Sequence, residues 1–149
     1  MTTSEPRNRY DAVVIGAGFS GLYTLHELHR RGLRTCVVEK ADDVGGTWLF
    51  NRYPGARCDI ESIEYSYSFS DELQQEWVWT ESMPAQPEIE SYLQFVADRL
   101  DPRRDIRLQT HVVTMTFDED ADEWLLETEW GETYVAPFAA EGYTGFKLD

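Results

Sequence analysis

A chain of 149 residues, 42% of them apolar, has the material for one domain with a real core. Its 28 acidic against 13 basic residues give a formal charge of −15, which argues against nucleic acid and anionic membranes as partners, since both are polyanions. The excess is uneven: residues 1–60 hold seven acids and eight bases, while residues 61–149 hold 21 acids and five bases.

The polar N-terminus has no apolar run that could serve as a signal peptide, and nothing approaches the ~20 apolar residues of a membrane span. Cys36 and Cys58 have no CxxC spacing, and Cys36 lies in the apolar run Thr35-Cys36-Val37-Val38 as a buried thiol. A cytoplasmic location is expected.

In chain order, Asp11–Ile15 reads as a short strand buried on both faces, because Ala12-Val13-Val14-Ile15 is apolar and largely β-branched. A helix follows Gly16–Gly21 and runs to about Arg31; Gly18, Gly21, Leu25, Leu28 and Gly32 form one stripe, with Gly32 as C-cap. Leu33–Glu39 is a second buried strand, completing a βαβ unit. Residues 40–87 form a long connection rich in Gly, Pro and aromatics, of a length that is usually functional. Pro87 then opens a helix with Ile89, Tyr92, Leu93, Phe95, Val96 and Leu100 on its buried side. Ile106–Leu108 is a candidate third parallel strand. Val112–Phe117, Trp124–Thr128 and Thr133–Phe138 read as an antiparallel meander. The fold class is therefore α/β, a Rossmann-like domain over residues 1–138 with a parallel sheet, helices and a β-meander. Residues 139–149 read as a loose tail or short edge strand.

Gly16-Ala17-Gly18-Phe19-Ser20-Gly21 fits G-x-G-x-x-G in its required setting, after a buried strand and opening a helix. Gly16 permits the tight turn, Gly18 lets a pyrophosphate approach the backbone, and Gly21 lets helix and strand pack closely. The helix N-terminus offers free N–H groups to the anion. Glu39, followed by Lys40, ends the next strand, where its carboxylate accepts from ribose hydroxyls and repels a 2′-phosphate. His26 and His29, read as lying on a solvent-side helix face, have the wrong spacing for a zinc motif, and Gly18-Phe19-Ser20-Gly21 is not a nucleophile elbow. No metal site is expected. The Gly45-Gly46-Thr47-Trp48 run brings a second stretch of backbone to the cofactor, which favours FAD over NAD.

This run, followed by Asn51-Arg52-Tyr53-Pro54-Gly55-Ala56-Arg57-Cys58-Asp59-Ile60-Glu61-Ser62, resembles the flavin-proximal loop of Baeyer–Villiger-type flavin monooxygenases. Glu64–Ser70 and Gln86-Pro87-Glu88-Ile89 extend the resemblance, which runs from about Tyr10 to Phe138. It implies an FAD-binding module of an enzyme that uses NADPH and O₂ to convert a ketone into an ester or lactone. It further implies that Gly16, Gly18, Phe19, Ser20 and Gly21 surround the pyrophosphate and that Glu39 binds the adenine ribose, with the backbone of Val112 by the adenine. Gly46, Thr47, Trp48 and Tyr65 would line the flavin or its ribityl chain. Arg57 and Cys58 would adjoin the nicotinamide cofactor, and Asp59 would support the flavin site through an arginine from elsewhere. Leu49-Phe50 departs from the family's usual aromatic pair.

The family's Ala-Thr-Gly strand, second glycine fingerprint, F-x-G-x-x-x-H-x-x-x-W signature and active-site arginine do not occur in these residues. Ala139–Asp149 resembles the family's C-terminal tail, as if the middle were removed and the ends joined near Pro137–Ala139. The chain is thus expected to be incomplete as a catalyst, with its first strand left as an exposed edge open to self-association. Two other readings are a non-catalytic interaction module or remnant without stable cofactor, and a small flavin oxidase that makes hydrogen peroxide.

Overall fold

In the computed structural model, which describes residues 8–100 and 103–141, the chain builds two sheets. Four parallel strands lie in the order β3-β2-β1-β7, with β1 Ala12–Ile15, β2 Thr35–Val38, β3 Ile106–Arg107 and β7 Phe138–Glu141. The antiparallel meander β4 Val112–Asp118, β5 Glu123–Thr128 and β6 Thr133–Ala136 forms the second sheet. Among the described residues there are four α-helices, α1 Phe19–Arg30, α2 Thr47–Phe50, α3 Asp71–Glu76 and α4 Gln86–Arg99, and a 3-10 turn at Arg103–Asp105.

The strands β1 and β2 are buried on both faces, and alternation sorts their side chains. Val14 and Val37 face Leu22 and Leu25 of α1 and Leu93 and Ala97 of α4. Val13, Cys36 and Val38 face Leu126, Tyr134 and Ala136 of the meander. The parallel sheet is thus the middle layer, with helices on one side and a second sheet on the other. Burial pushes the Cys36 thiol up to about 12, so Cys36 is an inert core residue.

The α1 helix ends as expected. Gly32 adopts φ +79, its N–H donates to the His29 carbonyl (2.9 Å), and Leu33 N–H reaches back to Leu28 (3.0 Å), which makes a Schellman cap. At the other end a Cβ on Gly21 would stand 1.8 Å from the Gly16 carbonyl oxygen, so the helix approaches the turn too closely for any side chain.

Two expectations are corrected. The run Thr133–Phe138 is not one strand. Pro137, which lacks an N–H, ends β6, and Phe138–Glu141 crosses to the other sheet, where it pairs parallel with β1 in the register Ala12↔Phe138 to Ile15↔Glu141. The edge of β1 is therefore closed, self-association through it no longer follows, and a boundary after residue 138 falls inside β7. The rest of the tail, residues 142–149, and the N-terminal residues 1–7 lie outside the described residues. Second, His26 and His29 are half-buried rather than plain surface residues: the His26 ring packs 4.7 Å from that of Phe69, and His29 Nε2 lies 3.3 Å from both the Thr35 carbonyl and Asp105 Oδ2. No helix among the described residues is long and apolar enough to cross a membrane.

Gly21→Ala is expected to cost about 3 kcal/mol or more, because backbone must move to admit the methyl group. Gly32→Ala, with open space around its Cβ, is expected to cost only about 1 kcal/mol for the left-handed backbone. Urea unfolding of the two variants checks this order.

Candidate functional site

The site grows from the turn between β1 and α1. Gly16 takes φ +98, Gly18 is the N-cap of α1, and no side chain caps the helix or places a negative charge in its first turn. The N–H groups of Phe19, Ser20 and Gly21 are the ones that an α-helix leaves without intrahelical partners. Together with the helix dipole they form an anion site.

The Gly45-Gly46 stretch lies directly against this turn. Gly45 N–H donates to the Ala17 carbonyl (3.0 Å), and a Cβ on Gly46 would come within 2.9 Å of the Gly18 Cα. Conversely, a Cβ on Gly18 would meet the Gly46 Cα at 3.4 Å. Gly18 is thus constrained by its neighbouring backbone as well as by any ligand. Gly46 adopts φ +54 and opens α2, whose first residues are Thr47 and Trp48.

At the far end of β2, Glu39 is 4% exposed. Burial lifts its carboxyl above the ordinary value near 4.5, while backbone N–H groups of Ala17, Lys40 and Ala41 and the charge of Lys40 counter part of the shift. The backbone of residues 109–110 runs alongside: Gln109 N–H donates to the Ala41 carbonyl and Thr110 N–H to the Glu39 carbonyl, both at 2.8 Å. That stretch leads into Val112, half-buried at the start of β4. Lys40 is exposed, its ammonium 5.1 Å from the centroid of the Phe50 ring.

Aromatic side chains support the opposite end. The Phe19 ring lies 4.9 Å from Tyr65 and 5.2 Å from Tyr67, whose hydroxyl donates to the Phe19 carbonyl. Trp48 Nε1–H donates to the Tyr65 hydroxyl (2.8 Å). Burial raises the Tyr65 hydroxyl above its usual pKa, the Trp48 bond opposes this, and the nearby Cys58 and Asp59 add smaller pushes upward. Phe19 therefore contributes its backbone to the turn, while its ring belongs to the aromatic support.

Thr47, Arg57 and Asp59 are exposed, and Ser20 is half-buried. Arg57 is engaged by Glu81 (2.5 Å) and the Met83 carbonyl (2.6 Å). Cys58 is 4% exposed with its N–H on the Pro84 carbonyl (3.0 Å), so of this pair only Arg57 presents a side chain to a ligand. The turn, Glu39, Gly46, Thr47, Trp48 and Tyr65 are brought together; Cys58 and Asp59 lie near Tyr65, with Cys58 buried and Arg57 and Asp59 forming an exposed rim.

Two contributors were missed in the sequence. Ala17, at 1% exposure, ties both Gly45 and Glu39 to the turn through its backbone, which its identity cannot signal. Buried Gln86 donates to the Trp48 carbonyl and to Glu90 Oε2 (2.7 Å), fixing α2 to α4. A glutamine ahead of Pro87 at a helix start was the available signal.

Residues 14–75 match the family model described as an NAD(P)-binding Rossmann-like domain. The chain is 50% identical over 128 residues to an acetone monooxygenase (methyl acetate-forming) of Gordonia sp., covering 86% of this chain and 24% of that protein. It is 46% identical over 134 residues to a Baeyer-Villiger monooxygenase of Pseudooceanicola batsensis, covering 89% and 25%. Among solved structures, the cyclohexanone monooxygenase from Rhodococcus sp. Phi1 bound to NADP+ superposes with a TM-score of 0.88 at 45% identity, over 92% of this chain and 26% of that one. The chain spans about a quarter of the length of these relatives.

A raised carboxyl pKa makes folding more favourable below the ordinary value near 4.5, and that contribution is lost as pH rises through the raised value. Glu39→Gln, neutral at every pH, is therefore expected to raise the thermal midpoint of the ligand-free chain at pH 7 and leave it nearly unchanged at pH 4. Thermal unfolding at both values is the check; a lower midpoint at pH 7 would show that the ionised carboxylate is a net stabiliser.

Proposed function

We propose that this chain, a member of the Baeyer–Villiger-type flavin monooxygenases by sequence and fold, holds the ADP half of FAD and orients the flavin. The observation that carries the reading is the backbone contact between Gly18 and Gly46 beside an uncapped helix N-terminus. The two glycine stretches make a cradle that any side chain would fill, and a pyrophosphate is the anion that suits it. The phosphates would take the Phe19, Ser20 and Gly21 N–H groups. Glu39 would accept from the adenine ribose, beside Lys40, and the Val112 backbone would flank the adenine. Gly46, Thr47, Trp48 and Tyr65 would position the flavin end, with Arg57 and Cys58 toward a nicotinamide and Asp59 as a supporting carboxylate.

Bound FAD would supply the redox and oxygen chemistry, and the residues here would supply position and charge. In a complete enzyme the reaction proposed is the NADPH-dependent oxidation of a ketone to an ester or lactone. Closure of β1 by β7 removes the open edge that had favoured a cofactor-free remnant.

Titration with FAD, NAD and NADP, followed by quenching of tryptophan emission, is expected to show preferential uptake of FAD. An equal response to NADP and FAD would sink the assignment. Gly18→Val and Gly46→Val are each expected to abolish uptake, with far-UV circular dichroism reporting whether the fold persists.

The 149-residue chain alone is expected to carry out no NADPH-driven ketone oxidation even with FAD bound. It contains a single glycine fingerprint, whose Glu39 opposes a 2′-phosphate. The Arg57 and Asp59 rim is open to water, whereas the oxygen-transfer chemistry needs water excluded and a positive charge held in place. Artificially reduced flavin should return its electrons to O₂ as hydrogen peroxide. The measurement is mass detection of ester from chain, FAD, NADPH and a reactive ketone in air; ester above the free-flavin rate overturns the expectation.

A further inference from the structure

Helix α2 is four residues long and carries Thr47 and Trp48, so its placement decides where the flavin end of the site begins. A helix that short has no stability of its own, and its last carbonyls have no partner within it. The Thr47 carbonyl is closed by Asn51, through its N–H (3.0 Å) and its Nδ2 (2.8 Å). The next two are closed by side chains: Gln86 Nε2 donates to the Trp48 carbonyl, and Arg52 Nε donates to the Leu49 carbonyl (2.9 Å).

One carboxylate holds both of these donors. Glu90 Oε2 accepts from Gln86 Nε2 (2.7 Å), and Glu90 Oε1 accepts from Arg52 Nη2 (2.6 Å). The Glu90 side chain is 16% exposed against 56% for Arg52, so the carboxylate is the inner member of the pair and is less screened by water. Gln86, Glu90 and Gln94 recur at four-residue spacing and share one face of α4. Gln94 Nε2 donates to Asp43 Oδ2 (3.1 Å), just ahead of the Gly45-Gly46 stretch. A polar row on a helix ordinarily faces water. This one lies along residues 43–52 and grips that loop at both ends.

We propose that Glu90 is the positioning residue of the flavin-end shelf: through Gln86 and Arg52 it fixes the end of α2, and with it the stance of Thr47 and Trp48. The inference rests on the FAD reading above and adds to it a residue outside the glycine cradle. The Trp48–Tyr65 bond holds the indole ring, whereas the Gln86 bond holds the backbone that carries the ring. Both carboxylate oxygens are needed. A glutamine at position 90 would offer one acceptor, and its NH₂ would face a donor.

The test reads the indole N–H signal of Trp48 in the ¹⁵N-labelled chain, assigned among the five tryptophans by its loss in Trp48→Phe. That N–H donates to the Tyr65 hydroxyl at 2.8 Å, so a displaced α2 lengthens the bond and moves the signal upfield. Glu90→Ala is expected to produce the shift, and Glu90→Gln a smaller one. Ser91→Ala, the next residue on α4 with its hydroxyl on the Pro87 carbonyl, should leave the signal in place. Trp130, 81% exposed, should not move in any variant. In an FAD titration Glu90→Ala should weaken uptake roughly tenfold, for one net hydrogen bond. A role confined to the stability of α4 would lower the thermal midpoint without moving the Trp48 signal. An unmoved Trp48 signal in Glu90→Ala overturns the proposal, as does a moved signal with unaltered FAD affinity. Should Glu90→Ala lose its fold, Glu90→Gln carries the same two readings. An unaltered chain that takes up no FAD overturns the function proposed above, and the Trp48 signal then still decides whether Glu90 sets α2.

Discussion

Two stretches of backbone can approach closer than paired strands only where side chains do not stand between them, and Gly18 with Gly46 meets that condition. Either Cβ would stand 3.4 Å or less from the other glycine's Cα. Because they touch, the loop after β2 is docked on the turn before α1, and the Gly45 N–H on the Ala17 carbonyl fixes its register. Thr47 and Trp48 then fall at the start of α2 within reach of Tyr65. This contact, together with the Phe19 packing on Tyr65 and Tyr67, makes the anion site and the aromatic shelf neighbours.

The same turn depends on a second close approach. Gly21 lies so near the Gly16 carbonyl that α1 can settle onto β1, carrying Leu22 and Leu25 into the layer that Val14 and Val37 share with α4. The glycine cradle and the core are therefore built from one six-residue run, Gly16–Gly21. The inert Cys36 on the opposite face shows how completely the meander covers the sheet there.

Much of this was legible in the sequence because it is local. The fingerprint, the apolar strands on either side and the Gly32 cap are all fixed by residues within one βαβ unit. What was not legible depends on partners far along the chain. Phe138-Ala139-Ala140-Glu141 has no β-branched residue; Phe138 reads as the end of the preceding strand and the rest as a loose tail or short edge strand, and the segment becomes the edge strand β7 because β1 offers an unpaired edge. Helix α3 is only one and a half turns long with Leu73 as its sole buried side chain, and Ser70 Oγ caps it by accepting from Leu73 N–H at 3.4 Å. So short a helix has no periodicity to read. The long connection has a length that is usually functional, but its Gln86 bond to Trp48 spans 38 positions and has no local pattern.

The two ends of the site differ in a way that bears on chemistry. Glu39 and Ala17 are sealed in the fold, so the end proposed to hold the adenosine is built into the packed interior. Thr47, Arg57 and Asp59, at the end suited to a flavin, are exposed, and Arg57 is already held by Glu81. Charges in contact with water are screened and weakly directed, whereas electrostatic stabilisation of a reacting group needs fixed dipoles in a dry site. On the proposed reading a nucleotide would be gripped by the sealed residues, while the exposed Arg57–Asp59 rim would hold a reacting ring only weakly unless water is excluded from it. On that reading the demands of binding would be met by a short glycine-rich spacing, and those of catalysis by dry, fixed charge, which the exposed rim does not provide.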